Sequence, residues 1–296
     1  MYKAVLMVLC AASPGTLAAQ DVQPRVYTPA PVGVNAISLN YAFSTGRVLF
    51  DKTIPVENVE GDIHSISAAY SRTLDVFGLS GRVDIGVPFV IGDWTGEVQR
   101  IGTAISRRGF GDPLARFSLF LIGAPALTRA EFAQFRPKTV VGATVRVRVP
   151  LGQYDAERLI NLGSNRWAFS PRLGVSQVAG NFLLEAYVAT WFFTDNTAAL
   201  GTSTFSQNPL FVIQVHAAYV FRQVFWLAIS SRQSLGGATS LDGGEDTNRE
   251  ANNRIGLTLG IPIAPRYSLR LVATTGLITS IGNDYNTLSM TWQVAF

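Results

Sequence analysis

The chain has 296 residues, of which 48% are hydrophobic and only 15% are charged. This charged fraction lies well below the roughly one quarter that is usual for a soluble globular domain. The formal net charge of +4 is mild and argues against a nucleic-acid-binding protein. After the N-terminus no apolar run reaches the length of a membrane helix, about 18 residues. Together these features favour a β-barrel, in which alternation disperses the apolar residues.

The first residues are typical of a secretory signal peptide, which we predict to cover residues 1–19. An apolar stretch runs from Ala4 to Ala12 behind a positive charge, and a small-x-small pattern ends at Ala18. Cleavage after Ala18 and cleavage after Ala19 both fit this pattern. The single cysteine, Cys10, lies inside the signal, so disulfide and thiolate chemistry are excluded from the mature chain.

Residues 20–32 are predicted to form an extended, proline-containing leader, and residues 33–296 to form a single barrel domain. Within that domain, short segments alternate between apolar and polar side chains, which is the signature of a strand with one apolar face. In chain order these segments are Asn35–Thr45, Asp62–Asp75, Leu79–Ile91, Asp112–Gly123, Thr139–Leu151, Asn165–Ser176, Phe182–Thr194, Leu210–Arg222, Val224–Leu235, Asn253–Ile263, Tyr267–Leu277 and Leu288–Phe296. Each is close to the about 9–11 residues that a tilted strand needs to cross a bilayer. The predicted fold is all-β, a transmembrane antiparallel up-and-down β-barrel of about twelve strands.

The predicted connections alternate between long and short, as expected when long loops face outward and short turns face the periplasm. One connection on the short side, residues 124–137, is unusually long. Within it, Thr128 followed by Glu131 resembles a capping box. We therefore predict a short helix at the periplasmic rim.

The last segment, Leu288–Phe296, carries large apolar side chains at alternating positions and ends on an aromatic residue. As the edge strand of a soluble sandwich, which is the alternative, it would invite aggregation. A closed barrel removes the edge by pairing the last strand with the first. The segment resembles the C-terminal signal of Gram-negative outer-membrane barrels. That resemblance implies recognition by the barrel-assembly machinery and a location in the lipid bilayer of the cell outer membrane.

Alternation also assigns an inner face, because a basic side chain that faces lipid at the midplane would cost about 2–4 kcal/mol. Its polar and aromatic members are the predicted lumen and substrate-path residues. They are Arg82, Asp84, Asp112, Arg116, Arg146, Arg148, Arg166, Arg172, Glu185, Tyr187, Trp191, Trp226, Arg232, Arg254 and Arg270. The excess of arginine over acid predicts a basic wall. Two interpretations stay open: the arginines attract anions, or they pack the lumen and pair with acids and backbone carbonyls.

Arg146 and Arg148 lie on the segment with the cleanest alternation. Because they are two residues apart, both side chains point inward, about 7 Å from each other along the strand. The segments before and after this one supply Arg116, Arg166 and Arg172. We predict that these five arginines form a basic stripe up one wall.

Four stretches in the middle third resemble a known family: Gly109–Asp112, Pro150–Asp155, Leu159–Phe169 and Trp191–Asn196. They are similar to the bacterial family named for the meta-pathway of phenol degradation, whose members are predicted outer-membrane β-barrel transporters. The resemblance covers most of the mature chain and implies uptake of aromatic compounds, but it brings no catalytic residues. The stretch Tyr154–Asn165 is expected either to fold inward and constrict the pore or to form only a turn.

We therefore expect a passive, porin-like channel for the uptake of small molecules such as aromatic or anionic compounds. An aromatic acid combines a carboxylate with a ring, which suits an arginine wall with Tyr187, Trp191 and Trp226. Two other classes stay open, a barrel lipid hydrolase and a structural or adhesive barrel. A hydrolase would need a base, and His64 and His216, the two histidines, are predicted to face lipid and lumen respectively. No metal site or cofactor is predicted, since the histidines form no cluster.

Overall fold

The computed structural model describes residues 22–49, 56–98, 101–158, 160–221, 225–244 and 248–296. The predicted signal peptide lies outside these ranges. Within them, no helix is long and apolar enough to cross a membrane.

Strands dominate the described part of the chain, together with one short helix, α1 (Arg129–Phe132). The strands are β1 (Asn35–Leu49), β2 (Val56–Val76), β3 (Leu79–Val98), β4 (Ile101–Phe110), β5 (Leu114–Ile122), β6 (Thr139–Arg148), β7 (Ala168–Ala179), β8 (Phe182–Phe193), β9 (Asn196–Ala199), β10 (Ser203–Gln207), β11 (Leu210–Phe221), β12 (Phe225–Gly236), β13 (Thr239–Leu241), β14 (Glu250–Ala264), β15 (Tyr267–Ile278) and β16 (Gly282–Ala295).

Twelve of the described strands close into an antiparallel barrel, which confirms the predicted fold class. Their order around the barrel is β1, β2, β3, β5, β6, β7, β8, β11, β12, β14, β15 and β16. The ring closes because β16 pairs with β1, from Ala36 opposite Ala295 to Leu49 opposite Gly282. The hydrophobic last strand therefore leaves no open edge, as a barrel in a membrane requires.

Residues 92–111, 195–209 and 236–252, which were predicted to be long outer loops, contain additional strands. β3 continues beyond Ile91 to Val98 and pairs with β4, with Phe89 opposite Phe110, so that this hairpin extends the wall outward. β9, β10 and β13 pair with one another in a small separate sheet among the described residues. Beyond the membrane a strand needs no one-sided apolar pattern, so alternation does not reveal it.

The outer surface of the barrel carries a band of exposed apolar side chains. Examples on four different strands are Leu39, Val145, Leu257 and Met290, each more than two fifths exposed. So much exposed apolar surface would be unfavourable in water but matches the hydrocarbon of a bilayer. The closed barrel and its apolar band place the chain in the outer membrane.

The long connection on the periplasmic side contains the predicted helix α1. The Thr128 hydroxyl accepts a hydrogen bond from the backbone N–H of Glu131, whose carboxylate accepts one from the N–H of Thr128. These hydrogen bonds from Thr128 hold the pKa of the Glu131 carboxyl below its usual value. The same connection also fixes the N-terminal segment, since the N–H of Val32 donates to the carbonyl of Leu127 at 2.9 Å.

Candidate functional site: the barrel lumen

The segment that precedes β1, residues 22–32, lies inside the barrel. It enters at the periplasmic rim, where the Thr73 hydroxyl donates to the carbonyl of Pro31 at 2.5 Å. Further in, Val26 and Tyr27 are 3% and 0% exposed. Sequence reasoning predicted only an extended leader here, because a proline-containing segment has no alternation that would assign it to the lumen.

Tyr27 anchors this N-terminal segment. Its ring packs edge-on against Phe120 and Tyr187, with centroid distances of 5.9 and 5.5 Å. Glycines make room for it: a Cβ atom at Gly142 would lie 2.2 Å from the ring, and one at Gly174 would lie 2.5 Å from it. The two glycines therefore have a packing role, because a larger residue at either would displace the tyrosine.

Several of the predicted lumen residues contact the N-terminal segment, among them Arg82, which donates to the carbonyl of Val26 at 3.1 Å. The backbone N–H of Arg25 donates to the Glu185 carboxylate at 2.5 Å, and that of Val26 donates to the Tyr187 hydroxyl at 3.2 Å. The Arg25 guanidinium lies over the Trp226 ring, 5.0 Å from its centroid. Glu185, Tyr187 and Trp226 thus hold the segment in place.

Two predicted arginines stack on one tryptophan. The guanidinium carbons of Arg146 and Arg148 lie 4.5 and 5.2 Å from the centroid of the Trp191 ring, which is 1% exposed. Arg146 also donates to the Ser170 hydroxyl at 2.6 Å. A guanidinium over an aromatic face is attracted to it, so Trp191 and Arg146 fill this part of the lumen together.

Beside the neighbouring strands, arginines also stack on aromatic rings and fill the lumen. The Arg166 guanidinium lies between the rings of Phe193 and Phe205, at 4.7 and 4.8 Å, and that of Arg172 lies over Tyr187 at 5.6 Å. Arg166 precedes β7, although it was predicted to lie within that strand. The inner faces of β6, β7, β8, β11 and β12 are called the packed half of the lumen below.

The two histidines lie on opposite faces of the wall. His216 is buried inside the barrel, with Nδ1 2.7 Å from the Ser230 hydroxyl, and its Nε2 has no hydrogen-bond partner in the described part of the chain. A serine–histidine pair is the beginning of a hydrolase site, but no described residue forms a hydrogen bond with Nε2 that would orient the imidazole. His64 lies outside, with Nδ1 2.8 Å from the Tyr41 hydroxyl and its ring 4.8 Å from that of Phe43.

Opposite the packed half lies a cavity of about 650 Å³. The inward positions of β1, β2 and β16 next to it, called the open half below, carry mostly short side chains. Those that line the cavity are Ala36, Ser38, Asn40, Ala42, Ser44, Ser65, Ser67, Ala69, Ser71, Thr73, Thr287, Ser289, Thr291, Gln293 and Ala295. Because these side chains are short, this half of the barrel is not filled, and its surface is rich in hydroxyl groups.

Seven of the fifteen predicted lumen residues line this cavity. They are Arg82, Asp84, Asp112, Arg116, Arg148, Arg254 and Arg270. The other eight do not contribute to its lining: Arg146, Arg166, Arg172, Glu185, Tyr187, Trp191, Trp226 and Arg232. No group of three or more His, Cys, Asp or Glu among the described residues could hold a metal ion.

Both acids in this lining are engaged by hydrogen bonds. The Asp84 carboxylate accepts from Arg82 at 3.1 Å and from the Ser71 hydroxyl at 2.6 Å. Asp112 accepts the backbone N–H groups of Gly152 and Ser164, both at 2.9 Å. Asp112 therefore holds an extracellular loop in position while it lines the lumen.

That loop folds inward over the cavity, as the first of the two expectations for residues 154–165 stated. Ile160 and Leu162 are buried in an apolar cluster with Trp94 and Tyr285 on the wall, and Leu162 also lines the cavity. The loop thus covers the outer end of the cavity, while the N-terminal segment covers part of the periplasmic end.

Arginines face each other across neighbouring strands at two places. Arg116 lies opposite Arg146, and Arg232 lies opposite Arg254, although like charges in such pairs are unfavourable. A half-buried acid that sequence reasoning missed, Glu250, interacts with Arg232. The predicted strand began at residue 253, whereas the alternation that places Arg254 inward extends back to residue 250.

The chain is similar to solved structures of outer-membrane barrels. It shares 19% identity with an outer membrane channel from Pseudomonas putida F1, at a TM-score of 0.78 over 93% of this chain and 100% of that chain. The transport unit of the autotransporter AIDA-I from Escherichia coli is 6% identical, at a TM-score of 0.53 over 96% and 95%. At these identities the likeness shows the barrel fold. No curated protein sequence matches the chain, but the model of one protein family matches residues 56–292.

Proposed function

The chain belongs to the family described as "Putative MetA-pathway of phenol degradation", and on this premise we propose that it is a passive channel for small molecules in the outer membrane. The finer proposal is that its solutes are anionic and include aromatic acids. The family description supports the aromatic part, and the charge of the cavity supports the anionic part.

The observation that carries the proposal is the composition of the cavity wall. Arg82, Arg116, Arg148, Arg254 and Arg270 line it, against Asp84 and Asp112. Both acids already accept hydrogen bonds from the protein. A surplus of positive charge in a narrow, low-dielectric passage concentrates anions and raises their rate of entry.

The proposed path runs along the open half of the lumen. The cavity lining includes Val34 and Ala295 near the periplasmic rim and Leu162 of the extracellular loop, which supports a route along the barrel axis. On this proposal the seven predicted residues in the lining contact the solute. The remaining eight hold the wall and the N-terminal segment.

Recognition of Leu288–Phe296 by the barrel-assembly machinery is a separate part of the proposal. The exposed side chains of Leu288, Met290, Trp292 and Phe296 support it, because they keep an apolar face on the strand that closes the barrel.

Ion currents across a planar lipid bilayer test the channel directly. With a KCl gradient across the membrane, we expect stepwise currents. Their reversal potential should be shifted toward the equilibrium potential of chloride, because the cavity carries surplus positive charge. Liposomes that contain the protein should also swell faster in sodium benzoate than protein-free liposomes do. Absence of both current and benzoate flux for the folded barrel would contradict the proposed function.

A further inference from the structure

Two arginines flank the outer part of the cavity. Arg148 is the last residue of β6, and Arg254 lies near the outer end of β14. Four strands separate β6 from β14 on one side of the ring and six on the other, so the two side chains approach the cavity from nearly opposite flanks. They are 5% and 3% exposed, and both line the cavity.

Each of these guanidinium groups is held in place but keeps a buried donor without a partner. Arg254 donates through Nη2 to the carbonyl of Tyr285, and Arg148 lies over the Trp191 ring. In the described part of the chain, Nη2 of Arg148 and both Nε and Nη1 of Arg254 have no hydrogen-bond partner. Buried N–H donors normally have an acceptor, so these donors indicate where a ligand could supply one.

The nearby acids do not supply that acceptor. Asp112, which interacts electrostatically with Arg148, accepts hydrogen bonds from the extracellular loop instead. Asp284 accepts from the Thr279 hydroxyl at 2.9 Å and lies 3.8 Å from Arg47. Neither Arg148 nor Arg254 forms an ion pair with another described residue.

We propose that the outer part of the cavity binds a small organic dicarboxylate, with one carboxylate at Arg148 and the other at Arg254. A planar guanidinium matches the two oxygens of a carboxylate, and two such groups on opposite flanks require two anionic groups on one ligand. The carbon chain between them would lie along the hydroxyl wall, where Ser44 and Thr287 line the cavity. This inference rests on the proposed function, because the same cavity is the proposed path.

Calorimetric titration of the full chain in detergent micelles at low ionic strength tests the site. The probes are succinate against butyrate and glutarate against pentanoate, pairs with equal carbon number and different charge. At least one dicarboxylate should bind about tenfold more tightly than its monocarboxylate, since a second charge-assisted hydrogen bond is gained. Arg148→Gln and Arg254→Gln should each reduce dicarboxylate affinity to about that of the monocarboxylate.

Arg108→Gln is the matched control, because Arg108 is an exposed arginine of β4 and its loss changes net charge equally. This variant should bind the probes as the unmodified chain does. If a glutamine variant does not fold, Arg148→Lys and Arg254→Lys keep the charge but lose the planar fork, and they should also weaken dicarboxylate binding.

Equal affinity for both members of each probe pair would overturn the dicarboxylate site, as would unchanged affinity in both variants. The outcome is independent of the channel test. Bilayer current without dicarboxylate preference overturns only the site, and dicarboxylate binding without current or flux overturns only the channel.

Discussion

On the inner face of β8, Tyr187 and Trp191 are each 1% exposed, whereas two of the inward positions of β1 hold Ser38 and Asn40, which line a cavity. Both strands belong to the same barrel and alternate with the same period of two. The packed half is filled by aromatic rings, by arginines stacked on them and by the N-terminal segment. The open half leaves about 650 Å³ unfilled.

An inward arginine has no single role in this barrel. In the packed half, Arg146 stacks on Trp191 and donates a hydrogen bond to Ser170, so it stabilises the packing of the wall. Two residues further along the same strand, Arg148 keeps a free donor at the border of the cavity. The volume of the neighbouring side chains therefore separates packing arginines from those available to a solute. The predictions below test this separation.

Removal of residues 22–30 should have the largest effect, because it takes the N-terminal segment out of the lumen. We expect a several-fold rise in single-channel conductance and a lower unfolding temperature, since the contacts of Tyr27 with Phe120 and Tyr187 are lost. Bilayer recording and thermal unfolding measure the two effects. Unchanged conductance of the shortened chain would show that the segment does not limit the passage.

Tyr27→Phe is the control for this deletion. It keeps the ring but loses the contact between the hydroxyl and Thr144 Oγ1, 3.1 Å apart. We expect a stability loss of about 1 kcal/mol and a conductance close to that of the unmodified chain.

The next largest effects are expected from single substitutions at Arg146 and Arg148, which should differ if one arginine packs the wall and the other faces the cavity. Arg146→Gln should lower the free energy of unfolding by about 1–3 kcal/mol, because a buried hydrogen bond and a stack are lost, and leave the reversal potential unchanged. Arg148→Gln should reduce anion preference, and this difference should shrink as salt rises. If both variants shift the reversal potential equally, the claim that Arg148 and not Arg146 is accessible to solutes is wrong.

Serine to leucine changes on the two walls test the same division by adding volume to each half. Ser230 is buried against His216, so Ser230→Leu should overpack its site and cost about 1–3 kcal/mol of stability. Ser67 faces the cavity, so Ser67→Leu should lower conductance while it changes stability by less than about 0.5 kcal/mol. Single-channel conductance and thermal unfolding of both variants test this. A stable Ser230→Leu barrel with reduced conductance, or a destabilised Ser67→Leu barrel with normal conductance, would contradict the division into a packed and an open half.

The alternation of side chains predicts the barrel, its twelve membrane-crossing strands and the face on which each residue of these strands lies. In β6, Val141, Ala143, Val145 and Val147 form an apolar face suited to lipid, so Arg146 and Arg148 point inward. In β16, the same pattern predicted a strand that needs a partner, and it pairs with β1. These features follow from sequence because the side-chain direction in a strand depends only on local parity.

Which inward residues are packed and which face a cavity depends on contacts between strands that are distant in sequence. Arg146 and Arg148 share a strand, a parity and a stack on Trp191, which comes from a strand two places away, but only Arg148 lines the cavity. The position of residues 22–32 and the inward fold of the loop near Leu162 likewise depend on space left by distant strands. The alternation of side chains repeats every two residues and can therefore be recognised in a short stretch of sequence. Whether the lumen is filled depends on the summed volumes of inward side chains from strands far apart in sequence.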